Sequence, residues 1–150
     1  MKTVLITFFS LLVAILINAQ SIDPDLLVME REIANLVNQH RLAMGLIELE
    51  FNETINQEAR KHSYNMASGK ISFSHKDFSK RTKAISDVMG GIAFAENVAY
   101  GHRNAEEAIK GWLNSPGHKS NIEGDFTHIG VGIAEAKDGT IFYTQIFLKK

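Results

Sequence analysis

The sequence predicts an α+β fold, with helices first and a small antiparallel sheet, covered by those helices, at the end. Three observations carry this. Beyond residue 20, apolar residues recur at helical spacing through the first half of the chain. Near the C-terminus Ile129, Val131 and Ile133 alternate with Gly130, Gly132 and Ala134. Asp138-Gly139 then makes a hairpin turn into the β-branched and aromatic run Thr140 to Leu148. At 150 residues and 45% hydrophobic content, one domain can bury a core without a metal or disulfide.

The elements follow in order. Met1-Lys2 is a short basic start, and Val4 to Ile17 is apolar apart from Thr7 and Ser10. That run is about 14 residues, whereas a membrane span needs roughly 20. With Asn18-Ala19-Gln20 behind it, it reads as a secretory leader over residues 1–19, removed before Gln20. One domain remains over residues 20–150. It is expected to be secreted, periplasmic or on the cell surface, with no membrane span. Asp23-Pro24 is a cap followed by proline, opening a helix that carries Leu26, Met29, Ile33, Leu36, Val37 and His40 and stops at Gly45. Asn52 opens a second helix with Ile55, Ala59, His62 and Met66 on one face, ending near Gly69. Ile71 to Asp77 lacks a helical period and reads as a loop or short strand. A weaker helix is expected between Phe78 and Met89, before Gly90-Gly91. Ala93 to Ala99 is a buried strand or an extended turn. Asn104 caps a helix whose Ala105, Ala108, Ile109 and Trp112 face inward, and Ser115-Pro116 caps a shorter one. The Thr140 to Leu148 run is apolar on both parities, so burial on both faces is expected.

Composition excludes several function classes. Lysine and arginine number 16 against 17 acidic residues, so no uniform positive field awaits a nucleic-acid backbone. Cysteine is absent, which removes disulfides, thiolate metal sites and thiol nucleophiles together. An exported chain without cysteine points to a bacterial source. No repeat or low-complexity stretch suggests a second unit, and a monomer is expected.

Six histidines are the main chemical resource. His40 and His62 lie on inner helix faces and read as core or boundary residues. His102 stands beside Arg103 in a polar loop and is expected to be solvated, while His128 opens a strand. His75, in Ser74-His75-Lys76-Asp77, and His118, in Ser115-Pro116-Gly117-His118, sit among small polar residues where a ligand could approach. Glu96 is flanked by Ile92-Ala93-Phe94-Ala95 and Val98-Ala99, so its carboxylate must be paired or bonded if buried. It either ties two loops together or bridges two imidazoles of one cleft. Spacing alone does not decide.

Several runs occur in a telling order: Phe73-Ser74-His75, Ala95-Glu96-Asn97-Val98-Ala99, then Gly111-Trp112-Leu113-Asn114-Ser115-Pro116-Gly117-His118 with Asn121-Ile122. Thr127-His128-Ile129-Gly130-Val131-Gly132 and Tyr143-Thr144-Gln145-Ile146-Phe147 continue it, and Leu36 to Arg41 fits the opening helix. Together these resemble the CAP superfamily, or SCP domain, of cysteine-rich secretory proteins, antigen 5 and pathogenesis-related proteins, in its short bacterial form. The resemblance covers roughly Met29 to Leu148. It implies an α-β-α sandwich with an open cleft lined by two histidines and acidic partners. His75, Glu96 and His118 match three of four cleft positions. Ser115 stands where many eukaryotic members carry the fourth, a glutamate.

Three functions compete. The first is a non-catalytic binding or signalling module whose cleft takes a lipid, a cell-wall component or another small ligand. It requires no cofactor, and zinc or another divalent cation is the candidate metal at His75 and His118, with Glu96. The second is a metal-dependent, protease-like hydrolase on the same three residues, with water in the open coordination position. No H-E-x-x-H motif presents paired ligands for it. The third is a glycosidase acting on cell-wall polymer, for which Glu96 would need a second carboxylate, and Asp77, Glu106 and Glu107 are only nominal seconds. Ser74 and Ser115 neighbour histidines without an orienting third group, and Ser115 is expected to serve as a helix cap.

Overall fold

A computed structural model describes residues 23–150. The leader over 1–19 and its removal before Gln20 lie outside the described residues. Helix α1 (Pro24–Ala43) starts where Asp23 accepts a hydrogen bond from the Asp25 amide, and it ends before Gly45 at φ +73°. Strand β1 (Glu50–Phe51) leads into α2 (Glu53–Ala67), whose first amides, Thr54 and Ile55, are capped by the Asn52 side chain. Then come α3 (Phe78–Met89), β2 (Ala93–Tyr100), α4 (Ala105–Leu113), α5 (Pro116–Ile122), β3 (His128–Glu135) and β4 (Ile141–Lys149).

The four strands lie in the order β1-β3-β4-β2. Both β2 and β3 run antiparallel to β4, with Glu96 opposite Ile146 and Val131 opposite Gln145. The sheet is not wholly antiparallel, because β1 pairs parallel to β3 through Glu50–His128 and Phe51–Ile129. The Ala93 to Ala99 segment is a strand and not a turn. As expected, β4 is buried on both faces from Tyr143 to Leu148.

Strand alternation divides the core into two layers. One face presents Ile129, Val131, Ile133, Tyr143 and Phe147 to Ile33 and Val37 of α1, Trp112 of α4 and Ile122 of α5. The other packs Ile146 and Leu148 against Ile55 and Ala59 of α2 and Ile85 of α3. This is the α-β-α sandwich. The alternating glycines of β3 explain how α2 comes so close. A Cβ at Gly130 would stand 2.6 Å from the Ile55 carbonyl carbon, and one at Gly132 would overlap the backbone of Ala59 and Arg60. Fully buried Glu30 locks α1, α2 and β3 together, accepting from Arg60 Nη2 at 2.6 Å and from the Ile133 amide at 3.2 Å. No described helix is long and apolar enough to cross a membrane.

Candidate functional site

Glu96 sits midway along β2, and its parity turns it toward the α2/α3 layer. Its side chain is 2% exposed. The burial is compensated, because Arg81 of α3 grips it with both arms, Nε to Oε2 at 2.8 Å and Nη2 to Oε1 at 2.7 Å. The His75 Nδ1–H donates to the same Oε1 at 2.9 Å. Glu96 therefore bridges His75 and Arg81, not the two imidazoles. Arg81 is the residue that sequence reasoning missed. Its signal was present: Phe78, Arg81 and Ile85 share one face of α3 by 3,4 spacing, so a guanidinium in that stripe requires a buried acid.

The loop between α2 and α3 carries His75. It buries little of its own, and Asp77 at its end adopts the left-handed region at φ 60°. Inside it Ser74 Oγ donates to the Ser72 carbonyl and accepts from the Lys76 amide. That hydroxyl serves the loop and faces no base. The buried His62 ring of α2 donates from Nε2 to the Ser74 carbonyl at 2.8 Å. Burial, then the Arg81 charge, lowers the His62 pKa, so the ring stays neutral near pH 7.

His118, on α5, reaches the site from the other layer. Its carbonyl accepts from Asn97 Nδ2 at 3.1 Å, and Asn121 Nδ2 donates to Asn97 Oδ1 at 2.8 Å. Asn121 also reaches the Glu96 carbonyl at 3.4 Å, which fastens α5 to β2 beside the buried carboxylate. Asn97 Nδ2 donates as well to Gln145 Oε1, while Gln145 Nε2 is buried with no partner. The half-buried His118 has its pKa lowered, first by burial and then by the charge of His75. His118 thus senses the charge of His75.

Ser115 occupies the cap position of α5, but its side chain makes no capping hydrogen bond, contrary to expectation. The backbone supplies the start instead, with Pro116 preset for the first turn. The other histidines lie apart. His40 bonds Glu123 at 2.8 Å, and His128 bonds the Thr127 hydroxyl at 2.7 Å. His102 is not solvated as expected: it is half-buried, tilted over Tyr143 at 6.2 Å and packed where Gly111 leaves room. Among the described residues no three His, Asp or Glu side chains converge on a common metal position. A cavity of about 600 Å³ lies elsewhere, lined by Arg41, Glu48, Glu123, Phe126 and His128, and none of the three site residues lines it.

The cysteine-rich secretory protein (CAP) family model matches residues 34–147. An uncharacterized protein of Bacillus subtilis, YkwD, is 39% identical over 127 residues, covering 81% of this chain and 47% of YkwD. An uncharacterized membrane protein of the same organism, YlbC, is 35% identical over 127 residues, 81% of this chain and 34% of its own length. The chain thus spans about half or less of these curated relatives. Among solved structures, an extracellular SCP-domain protein of Bacillus anthracis superposes with a TM-score of 0.72 at 30% identity, over 87% of this chain and 45% of that one.

Proposed function

This chain belongs to the cysteine-rich secretory protein family, and on that premise we propose an exported, non-catalytic binding module that offers His75 and His118 to a ligand. One observation carries the reading: both oxygens of Glu96 are engaged, by Arg81 and by His75. An engaged carboxylate is a poor general acid or base, but it orients an imidazole well. Because His75 Nδ1–H donates to Glu96, the lone pair of His75 lies on Nε2, and the side chain is 53% exposed. Two imidazoles suit a divalent cation, zinc first, or the polar end of a lipid or cell-wall component. The hydrolase reading shares the carboxylate–histidine pair but needs a third protein ligand, which Glu96 does not spare.

Calorimetry with zinc alone tests this. Binding is expected at pH 7.5, weaker at pH 5.5, and absent from His75→Ala/His118→Ala. Each ordinary imidazole, with a pKa near 6.5, loses about tenfold of its neutral form at pH 5.5. His118 has its pKa below that range and keeps its lone pair further into acid. Undiminished binding by the double variant would move the metal elsewhere, and no binding by wild type would leave the organic ligand.

Export has its own measurement. Protein recovered from the medium or periplasm should begin at Gln20, or at its cyclised form. An intact Met1 end in the membrane fraction would argue for an uncleaved anchor.

A further inference from the structure

We infer that His62, outside the three site residues, is a positioning residue that sets where His75 stands. The inference deepens the binding reading and rests on it for its ligand readout. The two peptide carbonyls flanking His75 are both held by buried side chains from below. His62 Nε2–H donates to the Ser74 carbonyl at 2.8 Å, and Arg81 Nη1 donates to the Lys76 carbonyl at 2.7 Å. His62 is 2% exposed and Arg81 6% exposed, so both donors belong to the rigid interior.

Beyond these two donors the loop is tied by the Ile71 amide to the Asn65 carbonyl at 3.1 Å and by the Phe73 ring edge-on to Tyr100 at 4.7 Å, both rings exposed. Ser72, Phe73, His75, Lys76 and Asp77 are all exposed. Apolar burial therefore contributes little to the position of the loop, and hydrogen bonds from buried donors carry most of it. Arg81 holds Lys76 and also pairs with Glu96, so one guanidinium sets both the carboxylate and the far side of the loop. On the near side the buried donor is His62. Without that donor the loop can swing about its Arg81 end, carrying His75 away from Glu96 Oε1. A displacement of about 1 Å is enough to lose a binding constellation.

The test uses the full chain with no ligand first. His62→Phe keeps an aromatic ring of similar size and removes the donor; His62→Gln keeps an amide N–H near the position of Nε2. In His62→Phe, amide exchange of residues 71–77 should accelerate at least about tenfold while β3 and β4 keep their protection. The downfield His75 Nδ1–H signal should be lost. His62→Gln should restore both. Zinc affinity should follow the same order, weakened about tenfold in Phe and recovered in Gln. Unchanged loop exchange and an unchanged His75 signal in His62→Phe would overturn the proposal. So would accelerated exchange spread evenly through the sheet, because that marks a merely structural residue. If His62→Phe does not fold, wild type decides: His62 as the Nε2–H tautomer with a slowly exchanging ring proton supports the proposal, and the Nδ1–H tautomer overturns it. Loop changes as expected in a protein that binds no zinc would leave the positioning role intact and sink the metal reading.

Discussion

Gly132→Ala should lower the melting temperature by on the order of 10 °C or more, and Gly132→Val should abolish the cooperative transition. An added methyl would overlap the Arg60 nitrogen and the Ala59 carbonyl carbon, which are helix backbone and cannot rotate away. Helix α2 would have to lift from β3. That lift would open the Ile55–Ala59 contact with Ile146 and Leu148 and pull Arg60 off buried Glu30. Overpacking commonly costs about 1–3 kcal/mol, and a clash with backbone belongs at or above the top of that range. Against a total stability of about 5–15 kcal/mol, that is a substantial fraction for Ala, and the larger Val side chain adds to it. Gly117→Ala is the control, since a Cβ there meets nothing within 4 Å. Its effect should stay within about 0.5 kcal/mol. Thermal unfolding followed by circular dichroism measures all three. A Gly132→Ala protein that melts like wild type would show that α2 does not lie against β3.

Arg81→Ala should cost about 3–5 kcal/mol, because it leaves Glu96 charged, buried and held only by His75. The paired replacement Arg81→Met/Glu96→Leu should recover most of that loss, since apolar residues of similar volume fill the space without a charge to compensate. Stability and binding then separate. The single variant loses both, whereas the paired variant melts near wild type and still lacks the carboxylate that orients His75. Denaturant unfolding with zinc calorimetry on each protein distinguishes them. A single variant within about 1 kcal/mol of wild type would mean that solvent reaches Glu96.

Of the three site residues only His75 rides on a connecting segment; Glu96 lies in β2 and His118 on α5.

Helices α1, α2 and α4 were legible because each carries its own start signal, in Asp23, Asn52 and Asn104, and a one-sided apolar stripe. The hairpin was legible because alternation and an Asp-Gly turn are local as well. The order of short motifs singled out His75, Glu96 and His118, and Glu96 announced its need for a partner by its apolar flanks. Identifying that partner was another matter. Arg81 lies 15 residues from Glu96, and His62 lies 12 from Ser74; neither separation leaves a periodic trace. Strand β1 escaped notice for the same reason, since two residues have no period and pair with β3 much later in the chain. By itself the sequence determined where the helices and the hairpin lie, which apolar stripes they bury and that Glu96 demands compensation, since these follow from neighbours within a turn or two. Only the tertiary structure decided who compensates whom. Packing α3 and the 71–77 loop against β2 gave the carboxylate to Arg81 and His75, because long-range contacts depend on how layers stack and not on local spacing.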